Sequence, residues 1–109
     1  AKTYMYEFSW PSSVAGGVYG AYHGLEIPFV FNNLDSVIGD KGMLGPQGAP
    51  PALADKMQQA WVQFAKNGNP GWDSYNTTER KTMLIDTIFQ LQVNPHGKVL
   101  RSWDGVRDE

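Results

Sequence analysis

The chain has 109 residues, of which 41% are hydrophobic, 13% aromatic and 18% charged; nine Lys and Arg against eleven Asp and Glu give a net charge of −2, and cysteine is absent. This composition excludes a disordered tail, a disulfide-stapled scaffold, a thiolate metal site and a cysteine nucleophile. The mild acidity leaves no basic footprint for nucleic acid or for an anionic membrane surface, and no apolar run approaches the roughly 20 residues that cross a bilayer as a helix.

A chain of this length forms one domain, expected here over residues 1–109 with no internal boundary, and buries roughly 60–70% of its unfolded surface. Four tryptophans, five tyrosines and five phenylalanines exceed what one small core needs. Such an excess calls for a second surface to bury against. The chain also enters a strand pattern directly after Ala1-Lys2-Thr3, without an initiator methionine, so a fragment or processed chain is expected. No targeting pattern is read in these residues, and cytoplasmic and secreted placement both stay open.

Tyr4, Tyr6 and Phe8 alternate with Met5, Glu7 and Ser9, a period of two that predicts a strand. Met5 and Trp10 keep the other face from being cleanly polar, which suits a strand covered on both sides. Pro11 ends it. Residues 12–51 read as loop, with glycines at 16, 17, 20, 24, 39, 42, 45 and 48. A loop of that length is usually functional, or packs on structure outside it. Its one dense apolar patch is Ile27-Pro28-Phe29-Val30-Phe31, where Pro28 argues against an interior ladder position.

Leu53, Met57, Ala60, Trp61 and Phe64 then fall on one face of a helix predicted over 53–66. Pro51 suits its first turn, Lys66 opposes the carbonyl end of the dipole, and Asn67-Gly68 with Pro70 supplies the stop. A second strand is predicted over 82–93, because Met83, Ile85, Phe89, Leu91 and Val93 share one parity, broken only by Thr87. Asn94-Pro95-His96-Gly97 is a turn by composition. The charged tail 98–109 is left unassigned, with Leu100 and Trp103 placed to form the apolar side of one helical turn. Strand, long loop, helix, strand is a βαβ-like order, for which a right-handed parallel connection in an α/β fold is expected.

Only two histidines are available for chemistry. His96, in its Asn-Pro-His-Gly turn, reads as an exposed turn residue. His23 lies in Gly20-Ala21-Tyr22-His23-Gly24-Leu25-Glu26, a glycine-flanked loop past a strand end, where open α/β sheets place ligands and catalytic groups. It is either a proton shuttle working near neutral pH or a buried ring bonded to backbone groups. Metal binding is not expected, since His23 and Glu26 form an H-x-x-E pair with no further ligand close in sequence. No serine sits in a G-x-S-x-G turn, no glycine pair leads into Gly-Lys-Ser/Thr, and no carboxylate pair suits glycoside hydrolysis. Taken alone, the residues supply a base without a partner.

The run Tyr4-Met5-Tyr6-Glu7-Phe8, followed by Gly20-Ala21-Tyr22-His23-Gly24-Leu25-Glu26-Ile27-Pro28-Phe29-Val30-Phe31, resembles the C-terminal part of type-B carboxylesterases. That family, which includes para-nitrobenzyl esterases and cholinesterases, has the α/β-hydrolase fold. The likeness continues in order through Leu53-Ala54-Asp55-Lys56-Met57-Gln58-Gln59-Ala60-Trp61, Phe64-Ala65-Lys66-Asn67-Gly68-Asn69-Pro70, Trp72, Tyr75, Arg80, Thr82-Met83, Asn94-Pro95, Arg101 and Trp103. It departs at Trp72-Asp73-Ser74-Tyr75, where the family commonly has Trp-Pro-x-Tyr, and at Asn69-Pro70-Gly71, where Asn-Pro-Asn is usual.

The resemblance implies ester hydrolysis by a Ser–His–Glu/Asp triad, with His23 as its histidine and no cofactor. Chain order in such hydrolases is serine, acid, histidine, which puts the serine, the acid and the oxyanion loop upstream of Ala1. The chain is then a C-terminal piece of an α/β-hydrolase, incomplete and inert on its own. Glu26 is a supporting carboxylate that holds the histidine loop by accepting backbone N–H bonds, or else a solvated loop charge; the triad acid belongs to an earlier loop. The implied partners are a small-molecule ester, the remaining esterase polypeptide and, for the isolated chain, further copies of itself. Two other classes stay open: a noncatalytic interaction module related to cholinesterases, and an aromatic-rich ligand-binding domain resting on the tryptophans.

Overall fold

Proline and glycine bound the longest element in the computed structural model, which describes residues 1–39 and 41–106. The elements are β1 (Tyr6–Phe8), α1 (Ile27–Val30), α2 (Pro51–Asn67), β2 (Lys81–Ile85), β3 (Phe89–Val93) and α3 (Gly97–Arg101), with 3₁₀ turns at Val14–Gly17 and Leu34–Val37. The sheet order is β1-β2-β3. β1 runs parallel to β2 with Tyr6 opposite Met83 and Phe8 opposite Ile85, and β2 runs antiparallel to β3. The parallel pairing expected on either side of the helix is therefore present.

The single strand expected over 82–93 is instead a hairpin. The Asp86 carboxylate accepts the Thr87 N–H at 2.7 Å, a local bond that favours a turn over a ladder. Ile85 pairs with Phe89, so odd-numbered positions stay on one face through the turn. One unbroken alternation therefore conceals two strands.

α2 matches its expectation closely. Pro51 occupies the first turn, where a missing N–H is harmless, and Gly68 closes the helix at φ 77° with its N–H on Phe64 O at 2.7 Å. Leu53, Ala54, Met57 and Ala60 are buried and Trp61 is half-buried. Phe64 departs from the expected buried face: it is 49% exposed, with Tyr4 edge-on at 6.1 Å.

The stretch 12–51 is not structureless padding. It supplies Leu25, Phe29, Leu34 and Leu44 to the core, which they share with Leu53, Met57 and Ile85. Pro28 sits in the first turn of α1, and α1 packs on α2. Phe29 is fully buried with Phe8 at 5.1 Å and Trp10 at 5.3 Å between ring centroids. Met5, just before β1, is 40% exposed, whereas Tyr6, Glu7 and Phe8 are all half-buried.

Gly45 marks where residues 43–47 cross residues 12–14. It has φ 79°, and a Cβ there would lie 2.3 Å from Val14 N and 2.5 Å from Ser13 Oγ. Gly45→Ala combines a left-handed backbone with overpacking against a neighbouring main chain, for an expected loss of about 2–5 kcal/mol. Urea denaturation of the intact protein checks this, and a loss under about 1 kcal/mol contradicts the close crossing.

The accessible surface is 7354 Å², against roughly 6,000 Å² for a folded monomer of this mass. The radius of gyration is 15.9 Å, against about 13 Å for a compact domain of this length. The surplus surface carries large apolar side chains: Val18, Phe31, Ile88, Val93 and Val106 are all exposed. Leu100 (42%) and Trp103 (56%), expected as an apolar side, are exposed as well. Residues 107–109 of the unassigned tail lie outside the described residues. Among the described residues, no helix is long and apolar enough to cross a membrane.

Candidate functional site

The polypeptide that leaves β1 doubles back so that the Ser12 N–H bonds Gly20 O at 3.1 Å, closing a loop over residues 12–20 just ahead of His23. Gly20 (φ 58°) and Gly24 (φ 78°) flank the histidine in left-handed conformations, as the glycine spacing suggested. Leu25 N–H to Tyr22 O (3.1 Å) and Ile27 N–H to Gly24 O (3.2 Å) roll the backbone into consecutive turns that run straight into α1.

These turns are pinned from below. Leu25 is fully buried, and the Tyr22 hydroxyl donates to Met43 O at 2.8 Å. The same carbonyl accepts the Ser12 hydroxyl at 2.7 Å, while Ser12 Oγ accepts the Val14 N–H at 3.0 Å. Ser12 is buried with both roles occupied, so its hydroxyl is structural. Nothing in the local sequence announced this, because the partner lies 31 positions away.

His23 itself is exposed, and its ring makes no hydrogen bond with any described residue. The buried, backbone-bonded alternative is therefore not what the fold builds. A neutral imidazole held on a fixed turn with both nitrogens open can accept and return a proton.

Glu26 is half-buried at the end of the same turn. Its backbone carbonyl caps α1, accepting the Phe29 and Val30 N–H groups at 3.0 and 3.1 Å. Its carboxylate takes a different partner from the backbone donors expected: the Tyr6 hydroxyl of β1 donates to Oε2 at 3.2 Å. Burial, reinforced by the Glu26 charge and this bond, raises the Tyr6 pKa. The phenol thus stays protonated, and a donor, well into alkaline solution.

His96 is exposed in its turn as expected, but its Nε2 meets Oε1 of Glu7, tying the turn after β3 to β1. With side chains 59% and 40% exposed, this pair contributes little stability. Among the described residues, no three His, Asp or Glu side chains gather around a common point.

One aromatic pocket of about 160 Å³ lies beside β1, walled by Tyr4, Tyr6, Trp61, Phe64, Pro70 and Trp72. It falls short of the roughly 300–1,000 Å³ usual for a small-molecule site, and His23 does not line it. Of the four tryptophans, Trp61 and Trp72 line it.

Comparison with known proteins gives a consistent result. The sequence profile described as the carboxylesterase family matches residues 1–103. A para-nitrobenzyl esterase of Bacillus subtilis (strain 168) is 33% identical over 106 residues, covering 90% of this chain and 21% of the relative. A cocaine esterase of Homo sapiens is 32% identical over 94 residues, covering 77% of this chain and 16% of the relative. Among solved structures, a PNB esterase superposes with a TM-score of 0.78 at 30% identity, covering 93% of this chain and 21% of that one. The chain thus spans about a fifth of the length of the para-nitrobenzyl esterases it matches, whose α/β-hydrolase architecture it shares over that span.

Proposed function

The chain belongs to the carboxylesterase family, and from that premise we propose that it is the histidine-bearing C-terminal segment of a larger serine hydrolase acting on carboxylic esters. His23 takes the proton from the attacking serine hydroxyl and returns it to the leaving alcohol; in the second half-reaction it does the same for water and the serine. The serine, the triad acid and the oxyanion donors come from the rest of the polypeptide, and Glu26 supports the histidine turn rather than serving as the acid.

The observation that carries this reading is His23: exposed, without a hydrogen bond to any described residue, and presented on a turn whose neighbours are anchored on both sides. The surplus apolar surface supports a segment completed by further polypeptide. Retention of His23 within its motif speaks against a noncatalytic relative.

The 109-residue chain alone is expected to hydrolyse a short-chain nitrophenyl ester no faster than free imidazole at equal concentration. It is also expected to sediment as self-associated species through its uncovered apolar faces. Serine-dependent turnover well above that background, from a monomer, contradicts the division of labour proposed here.

A further inference from the structure

We infer that Tyr6 is a positioning residue for the His23 turn, acting through Glu26. The inference rests on the catalytic reading of His23 and adds a residue that touches neither substrate nor the imidazole.

Glu26 ends the turn that presents His23 and begins α1, so its backbone position fixes both. Among the described residues, its carboxylate has one hydrogen-bond partner, the Tyr6 hydroxyl, 20 positions earlier on β1. Tyr6 is in turn a well-held anchor. Its backbone is in register with Met83 of β2, and its ring meets Trp61 of α2 edge-on, with centroids 4.9 Å apart and planes at 71°. Tyr6 thus links the turn, through its hydroxyl, to the sheet through its backbone and to the long helix through its ring.

The other anchors act elsewhere along the turn: Tyr22 holds the residue before His23, and Leu25 sits in the core. Without the phenol, the segment after His23 keeps its apolar packing but loses the one side-chain hydrogen bond that, among the described residues, ties it to the sheet. Displacing a catalytic group by about an ångström costs on the order of 100-fold in rate, so a partial loosening falls below that ceiling. The raised Tyr6 pKa is consistent with a phenol that remains a donor throughout the range where the histidine works.

The test uses the intact polypeptide and a nitrophenyl ester. Tyr6→Phe removes the hydroxyl and keeps the ring against Trp61; kcat is expected to fall by roughly 10-fold with KM within about twofold, at nearly unchanged melting temperature. Glu26→Gln keeps an acceptor oxygen and is expected to stay within about threefold of the parent, whereas Glu26→Ala matches Tyr6→Phe. The Tyr6→Phe/Glu26→Ala double variant is expected to lose no more than either single one, as members of one interaction do.

A Tyr6→Phe kcat within twofold of the parent, or losses that multiply in the double variant, overturns the inference. If Tyr6→Phe does not fold, the contrast between Glu26→Gln and Glu26→Ala decides, and equal activity in those two overturns it. His23→Ala measured alongside separates the two levels. Its inactivity together with a silent Tyr6→Phe removes Tyr6 alone, whereas full activity in His23→Ala removes the catalytic reading and this inference with it.

Discussion

His23→Ala in the intact polypeptide is expected to lower kcat for a nitrophenyl ester by roughly 10⁴- to 10⁶-fold, the range that follows loss of the histidine from a serine triad. Without the imidazole the serine hydroxyl keeps its proton during attack, and the leaving alcohol must depart unprotonated. The substitution leaves the fold alone, because His23 is exposed and bonds no described residue. Stability is therefore expected within about 0.5 kcal/mol of the parent. That pairing of a large rate loss with an intact melting transition distinguishes a proton carrier from a structural residue. A loss below about tenfold contradicts the role.

Phe29→Ala carries the second large effect, this time on stability. Phe29 is fully buried between Phe8 and Trp10, and it fixes α1 over β1 and against α2. Truncation removes a large apolar side chain and leaves a cavity, at an expected cost of about 3–5 kcal/mol. This is a substantial part of the roughly 5–15 kcal/mol that holds a typical domain folded. α1 begins at Ile27, four positions past His23, so activity is expected to fail at lower urea concentration than in the parent, together with the unfolding transition. Denaturation followed by fluorescence and by ester hydrolysis checks both expectations. A loss under about 1 kcal/mol, with the slope on urea unchanged, contradicts the placement of Phe29 at the centre of the core.

The parts of this fold that sequence exposes are those governed by local chemistry. α2 is readable because Leu53, Met57 and Ala60 repeat at helical spacing and because Pro51 and Gly68 each do one local job at its ends. The β2–β3 hairpin is hidden because pairing Ile85 with Phe89 preserves parity, leaving only the Asp86–Thr87 turn bond to mark the break. α1 is hidden for another reason. Its four residues are too few to show a period, and a helix that short is held by tertiary packing, here through Phe29.

The site divides along the same line. His23 stands out through its flanking glycines and the resemblance around it, since both are properties of neighbouring residues. The Tyr6–Glu26 bond and the shared Met43 carbonyl span 20 to 31 positions through single hydrogen bonds. No spacing rule announces such contacts. For the Glu26 carboxylate the sequence suggested backbone donors or bare solvent, where the fold supplies a phenol.

A proton-carrying His23 must lie beside the nucleophile of the complete enzyme. The most direct measurement is a crystal structure of the intact polypeptide inhibited by a phosphonate that bonds covalently to its nucleophilic serine. The His23 imidazole is expected within hydrogen-bond reach of the serine Oγ, about 2.6–3.2 Å, with its other nitrogen on a carboxylate from an earlier loop. A different histidine beside the modified serine, with His23 out of reach of it, contradicts the proton-carrying role of His23.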